Sequence, residues 1–331
     1  MAALGDASRR QFLIYGTSSL ALASIAARAQ RSLEPLPAAL GPSDAAVPAQ
    51  DGAARTADAA GHLTVAVRID NHGPYRFVVD TGADRTVLAT DVAAELGLLH
   101  GERVMLEGVV RAVAAETVTL RELAFGSVRC GPLMVPILPH SMLQADGYLG
   151  LDTLDGHRVT FDFKNHTLQV SEPRSRFGAF WLGQQNEARI RTVGSSGHLR
   201  ALHCTVDGVP AAAFVDSGAE VSAGNPPLLA ALARRNPAYS QLGAISVSGI
   251  TGGETLGNVT LVKKIRLMDL EFTDCPLLIA DFQIFAVWGL RQYPSLLIGM
   301  NLLRQFSKVS IDYGRKELRF DLASVNLLQS T

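Results

Sequence analysis

The chain has 331 residues, which at about 150 residues per domain suggests two domains. Hydrophobic residues make up 47% and charged residues 18%, a globular balance that excludes a disordered or collagen-like chain. Thirty basic against thirty-one acidic residues give a formal charge of −1, too even to mark a nucleic-acid or anionic-membrane binder.

The N-terminus reads as a processing signal. Ser8-Arg9-Arg10-Gln11-Phe12-Leu13 is a twin-arginine pattern, and the apolar stretch Leu13 to Ala27 that follows is shorter than the ~20 residues of a membrane span. It closes on Ala27-Arg28-Ala29, a small-x-small cleavage site before Gln30. Residues 1–29 are therefore expected to be a twin-arginine signal peptide, with an uncleaved anchor as the alternative. The mature protein is expected to be periplasmic or secreted, with no stable membrane insertion. Residues 30–60 are rich in Ala, Pro, Asp and Gly without periodicity and read as a flexible linker.

From Gly61 the chain becomes a series of short β-like runs between turn residues: Leu63–Ile69, Tyr75–Asp80, Val104–Val110, Thr117–Leu123, Val159–Phe163 and Thr167–Val170. Helical patterns are confined mainly to Thr90–Leu98 and Pro227–Arg235. A second tether-like stretch, 172–196, separates a first lobe, 61–171, from a second, 197–331. Cys130, Cys204 and Cys275 are too few and too scattered for a disulfide framework or a zinc cluster; Cys130 and Cys275 read as half-buried core thiols. No HExxH, GxxxxGK[ST] or GxSxG pattern occurs, which removes zincin, P-loop and lipase-like readings.

Self-similarity organises the rest. Phe77-Val78-Val79-Asp80-Thr81-Gly82-Ala83-Asp84 recurs as Phe214-Val215-Asp216-Ser217-Gly218-Ala219-Glu220. Tyr148-Leu149-Gly150-Leu151-Asp152 recurs as Leu297-Ile298-Gly299-Met300-Asn301, and Val159-Thr160-Phe161-Asp162-Phe163 as Val309-Ser310-Ile311-Asp312-Tyr313. Cys130 before Pro132 has its counterpart in Cys275 before Pro276. One Asp-Thr-Gly after an apolar strand is an ordinary turn. Four matching blocks in the same order imply two copies of one mostly-β unit.

Val79-Asp80-Thr81-Gly82-Ala83-Asp84-Arg85-Thr86-Val87-Leu88 closely resembles the active-site segment of retroviral-type (retropepsin-like) aspartic proteases. Tyr148-Leu149-Gly150 and Leu297-Ile298-Gly299 resemble the apolar-apolar-Gly of that family's ψ-loop. The resemblance runs from about Gly61 to the C-terminus. It implies a mostly-β, bilobal acid-protease fold of two pseudo-symmetric barrel-like lobes with short helices, both halves of the site lying in one chain. The implied activity is aspartic endopeptidase, with Asp80 and Asp216 as catalytic pair, peptide or protein as substrate, and no metal or cofactor. Thr81 and Ser217 would reach across the pseudo-two-fold axis, Gly82 and Gly218 would allow close backbone approach, and Gly150 and Gly299 would buttress the turns.

Two close carboxyls cannot both ionise, so such a pair holds one proton and can act as base towards water and acid towards a carbonyl. Ala83 and Ala219 remove a hydroxyl donor that would lower the pair's pKa, which predicts a mildly acidic to neutral optimum. Ser248-Gly249-Ile250-Thr251-Gly252-Gly253 reads as a mobile hairpin flap; its first-lobe equivalent, Glu107 to Arg111, carries only Gly108. Ala223-Gly224 stands where the first copy has Val87-Leu88 and predicts looser packing under Asp216. Phe285, Trp288 and Tyr293 fall in an insertion and are read as packing rather than cleft lining, while Asp162 and Asp312 are read as structural. A monomer is expected. The alternatives are a catalytically inactive peptide-binding protein of the same fold, and lobes that pair between chains.

Overall fold

The structure, a computed structural model, describes residues 12–15, 53–54, 64–172, 187–193, 198, 200–236, 239, 241–268 and 270–321. The Arg9-Arg10 pair, the expected cleavage site and most of residues 30–60 lie outside these. Of the expected signal peptide, Phe12–Tyr15 is a short strand parallel to Leu270–Thr273; of the expected linker, Ala53–Ala54 pairs with Leu168–Gln169.

Two mirrored hairpins begin the two lobes. Thr64–Ile69 pairs antiparallel with His72–Val79 through Asp70 and Asn71, whose φ values are 47° and 69°. Arg200–Val206 pairs with Val209–Val215 through Asp207 and Gly208, at 45° and 77°. Two consecutive positive φ angles define the hairpin turn whose twist matches that of the strands, and Asp, Asn and Gly are the residues that tolerate it. Alternation then aims the apolar side chains inwards: in Thr64–Ile69, Val65, Val67 and Ile69 are buried while Ala66 and Arg68 are exposed.

Each hairpin delivers its second strand into the same arrangement. Gly147–Leu149 runs parallel to Phe77–Val79 and antiparallel to Val87–Leu88. Ser295–Ile298 runs parallel to Ala212–Val215 and antiparallel to Ala223–Gly224. Among the described residues the first sheet has nine strands and the second fourteen. Helices are short. Thr90–Glu95 ends earlier than its sequence pattern, because the chain turns at Gly97 with φ 60°. Pro226–Arg235 starts where Asn225 caps Leu228 N–H and prolines occupy the first turn, and it buries Leu228, Ala231 and Leu232.

A sheet joins the two lobes. Arg158–Asp162 and Thr167–Ser171 leave the first lobe's sheet, and Arg158–Asp162 pairs antiparallel with Lys308–Asp312. Residues Glu187–Val193, expected within the interlobe linker, instead form a strand that pairs with Glu317–Asp321. That segment, EARIRTV, alternates in character, a pattern outweighed in the sequence by the glycines and proline around it.

The seam is closed by reciprocal side chains. Arg158 donates twice to Asp312, at 3.1 and 2.7 Å, and Lys308 pairs with Asp162 at 3.0 Å. Between them Thr160 and Ser310 hydroxyls meet at 3.1 Å. Asp162 and Asp312 also accept the backbone N–H groups of Asn165 and Arg315, so both tie down the following turn. Cys204 and Cys275 are buried and Cys130 half-buried, all as free thiols. Burial pushes the Cys204 and Cys275 thiols up to about 12, where they are unreactive.

Asp312→Ala strands a buried guanidinium and is expected to lower unfolding stability by about 3–5 kcal/mol in urea titrations, with part of the loss recovered by Arg158→Met in the same chain. A loss below about 1 kcal/mol in the single variant would show that the seam does not depend on this pair.

Candidate active site

The strands His72–Val79 and Val209–Val215 end side by side, and the next residue of each is an aspartate. Asp80 N–H donates to Leu149 O and Asp216 N–H to Ile298 O, both at 3.0 Å, so each aspartate is fixed to its own inserted strand. The following turns interlock across the axis. Thr81 Oγ1 donates to Val215 O at 3.2 Å and accepts from Ser217 N–H at 2.9 Å. Ser217 Oγ donates to Val79 O at 2.7 Å and accepts from Thr81 N–H at 3.1 Å. Both side chains are buried, so all four bonds lie out of reach of solvent competition.

The glycines set how close the carboxyls come. A Cβ on Gly82 would stand 2.5 Å from Asp216 Cγ, and one on Gly218 would stand 2.5 Å from Asp80 Cγ. Only glycine leaves room for the opposite carboxyl. Asp80 Oδ1 accepts from Gly82 N–H at 2.8 Å; Asp216 Oδ1 accepts from Gly218 N–H at 2.8 Å and Ala219 N–H at 3.2 Å. The carboxyls are hydrogen-bonded to one another. Their settings differ: Asp216 is buried and Asp80 half-buried. Burial, and then the charge of Asp80, hold the Asp216 carboxyl well above the ordinary carboxylate range, against the opposing bonds from Gly218 and Ala219.

Ala83 and Ala219 hold the far side of each turn through their carbonyls, which accept Leu151 N–H and Met300 N–H at 2.8 Å. Gly150 and Gly299 sit under these turns without room for a side chain: a Cβ would lie 2.4 Å from Arg85 C or 2.8 Å from Ala219 O. Beneath the second turn the packing is tight, contrary to expectation. Ile279 and Leu228 fill the space over Gly224, each within 2.8 Å of where its Cβ would be.

The expected flap residues come together from both lobes. Gln241–Ser248 and Glu254–Leu267 form a hairpin whose tip holds Gly249, Ile250, Thr251 and Gly252. The tip abuts the loop between His100–Leu106 and Val113–Leu120, which holds Gly108. Thr251 Oγ1 donates to Arg111 O at 2.7 Å, and Arg111 Nε donates back to Thr251 O at 3.2 Å. Thr251 is fully buried, and a Cβ on Gly108 would overlap it. A single first-lobe glycine therefore suffices for contact.

Three further groups were not singled out from the sequence. Thr86 Oγ1 donates to Asp152 Oδ1 at 2.7 Å and accepts from Gly150 N–H at 3.1 Å; Ser222 Oγ does the same with Asn301 Oδ1 and Gly299 N–H, at 2.7 and 2.9 Å. The signal was present, since Asp152 and Asn301 occupy matching places in the repeated blocks. His198 Nε2 meets Asp84 Oδ1 at 2.8 Å, and this bond holds the Asp84 carboxyl below its ordinary value. Its ring packs on Trp288 (centroids 5.0 Å apart), which stacks on Phe214 at 4.9 Å. Phe285 is buried as expected, whereas Tyr293 is 64% exposed and packs little.

The chain is similar to known proteins in both halves. A family model described as aspartyl protease matches residues 65–153 and again 202–302, together more than half of the chain. DNA damage-inducible protein 1 of Yarrowia lipolytica is 29% identical over 122 residues; the match covers 35% of this chain and 29% of that protein's length. A crystal structure of a retropepsin-like aspartic protease from Rickettsia conorii aligns at 18% identity with a TM-score of 0.29, over 41% of this chain and 90% of that one. With the family's model matched in both halves of a mostly-β, two-lobed fold, the chain belongs to the aspartyl protease family.

Proposed function

We propose that the protein is an aspartic endopeptidase that hydrolyses peptide bonds with a water molecule activated by Asp80 and Asp216. The observation that carries this reading is the contact of the two carboxyls on interlocked turns, one buried and one half-buried. Asp80, ionised, takes a proton from water as its oxygen attacks the carbonyl carbon. Asp216 gives its proton to the carbonyl oxygen, producing a neutral tetrahedral gem-diol. Asp80 then passes its proton to the leaving nitrogen, Asp216 recovers one from the diol, and the C–N bond breaks. Substrate is an extended peptide under the two flaps, whose contact through Arg111 and Thr251 must open to admit it.

The interlock of Thr81 and Ser217 within one chain favours a monomer as the working unit. We also infer export through the twin-arginine route to the periplasm, supported by Ser8-Arg9-Arg10 and the short apolar stretch after it.

Either Asp80→Asn or Asp216→Asn is expected to lower kcat/KM on a diverse peptide library by at least about a hundredfold, insensitive to chelator. A folded wild-type chain that cleaves nothing between pH 3 and 8 but still binds peptide would instead be a binding protein of the same fold. Activity is expected to fall as pH rises through the elevated pKa of Asp216, because the shared proton is then lost, and to peak at mildly acidic to neutral pH. An optimum in the strongly acidic range would overturn this.

The same shift predicts a stability change. Asp216 binds its proton more tightly folded than unfolded, so its contribution is complete below the ordinary value of 3.8 and is lost as pH rises through the folded value. Asp216→Asn removes that loss while keeping the acceptor for Gly218 and Ala219. The variant is expected to gain stability over wild type in urea unfolding at pH 8, and to gain little at pH 3.

A further inference from the structure

Tyr313 follows directly on the strand Lys308–Asp312, and its N–H donates to His157 O at 2.9 Å. It is 4% exposed, and its hydroxyl oxygen is buried without a hydrogen-bond partner among the described residues. A buried phenol normally finds one, because an unmet hydroxyl forfeits its hydration for nothing. The neighbour at hand is Thr81, which lies beside the phenol without reaching good hydrogen-bond geometry. The acidic groups around it are Asp80 and Asp216 from the two turns and Asp155 from the loop before Arg158; Asp312, the preceding residue, is engaged by Arg158. Burial, then the charge of Asp80, then that of Asp216, raise the Tyr313 phenol far above its ordinary value of 10, so it stays a neutral O–H throughout the working range.

The sequence supplies a natural control. Asp312-Tyr313 corresponds to Asp162-Phe163 in the first copy, where a phenylalanine packs on the same core and stacks on Phe161 at 6.1 Å. A ring alone fills that position, so the hydroxyl on the other side is additional to packing. Thr81 Oγ1 donates once, to Val215 O, and accepts once, from Ser217 N–H, which leaves a lone pair uncommitted.

We propose that the Tyr313 hydroxyl is a positioning group for the carboxyl pair: it aims its proton at the uncommitted lone pair of Thr81 Oγ1 and turns the positive end of its O–H dipole towards Asp80 and Asp216. It thereby stiffens the interlocked turns and counters part of what burial does to the pair's proton affinity. This inference rests on reading Asp80 and Asp216 as the functional pair, but its test does not depend on turnover.

The test uses the full chain with aspartate labelled at Cγ, titrated by carbon NMR as wild type, as Tyr313→Phe, and with 3-fluorotyrosine placed at position 313 alone. Tyr313→Phe is expected to raise the upper apparent pKa of the pair by about half a unit, roughly a threefold change in proton affinity. The fluorinated phenol, a stronger donor, is expected to lower it. In peptide cleavage the kcat–pH profile shifts in the same direction and KM holds. Titrations that coincide in all three proteins overturn the proposal, whether or not Tyr313→Phe raises the melting temperature. If no protein cleaves peptide but the titrations separate as expected, the catalytic reading fails while the positioning role stands.

Discussion

Two carboxyls of like charge stay in contact in a dry site only if the backbone carrying them is held from both sides. Here the holding is mutual. Each hydroxyl of Thr81 and Ser217 accepts from the opposite turn's N–H and donates to the carbonyl of the strand that delivers the opposite aspartate. Neither lobe can shift without breaking bonds made by buried side chains, so the pair's geometry is a property of the whole two-lobed chain. Gly82 and Gly218 extend the same logic, since the space each leaves is taken by the carboxyl of the other lobe.

That interlock is one of several contacts about a pseudo-two-fold axis. Thr160 and Ser310 meet across it in the seam, flanked by Arg158–Asp312 on one side and Lys308–Asp162 on the other. The hairpin tip of the second lobe touches the loop of the first through Arg111 and Thr251. The two halves are not equivalent, however. Asp216 is buried and Asp80 half-buried, so the two carboxyls sit in unequal settings. The buttress is a carboxylate in the first lobe, Asp152, and a neutral amide in the second, Asn301, with the same acceptor geometry. The aromatic pile of Phe214, Trp288 and His198, ending on Asp84, belongs to one side only among the described residues.

Legibility followed the range of the interaction. The hairpins before Asp80 and Asp216 could be anticipated because alternation and the Asp-Asn and Asp-Gly turns are local preferences. The strand Glu187–Val193 was read as tether because its surroundings, rich in glycine, outweigh seven alternating residues whose partner lies far along the chain. Ala223-Gly224 suggested loose packing, since a small side chain says nothing about its neighbours; Ile279 and Leu228 occupy the space. Arg111 marks the end of the first-lobe loop in the sequence, but its bonds to Thr251 are visible only with the other lobe against it.

The sequence by itself determined the class of protein and where to look. Apolar run, Asp-Thr/Ser-Gly, downstream apolar-apolar-Gly and late strand are contiguous signals, and their duplication is visible without coordinates. Only the tertiary structure decided which side chains meet, which carboxyl is the drier, and that the Tyr313 phenol is buried where both carboxyls act on it. The reason is physical. Turn and strand preferences act over a few residues, whereas burial and the partner of a polar atom are settled when distant segments close on one another, and a proton's affinity is set by that closure.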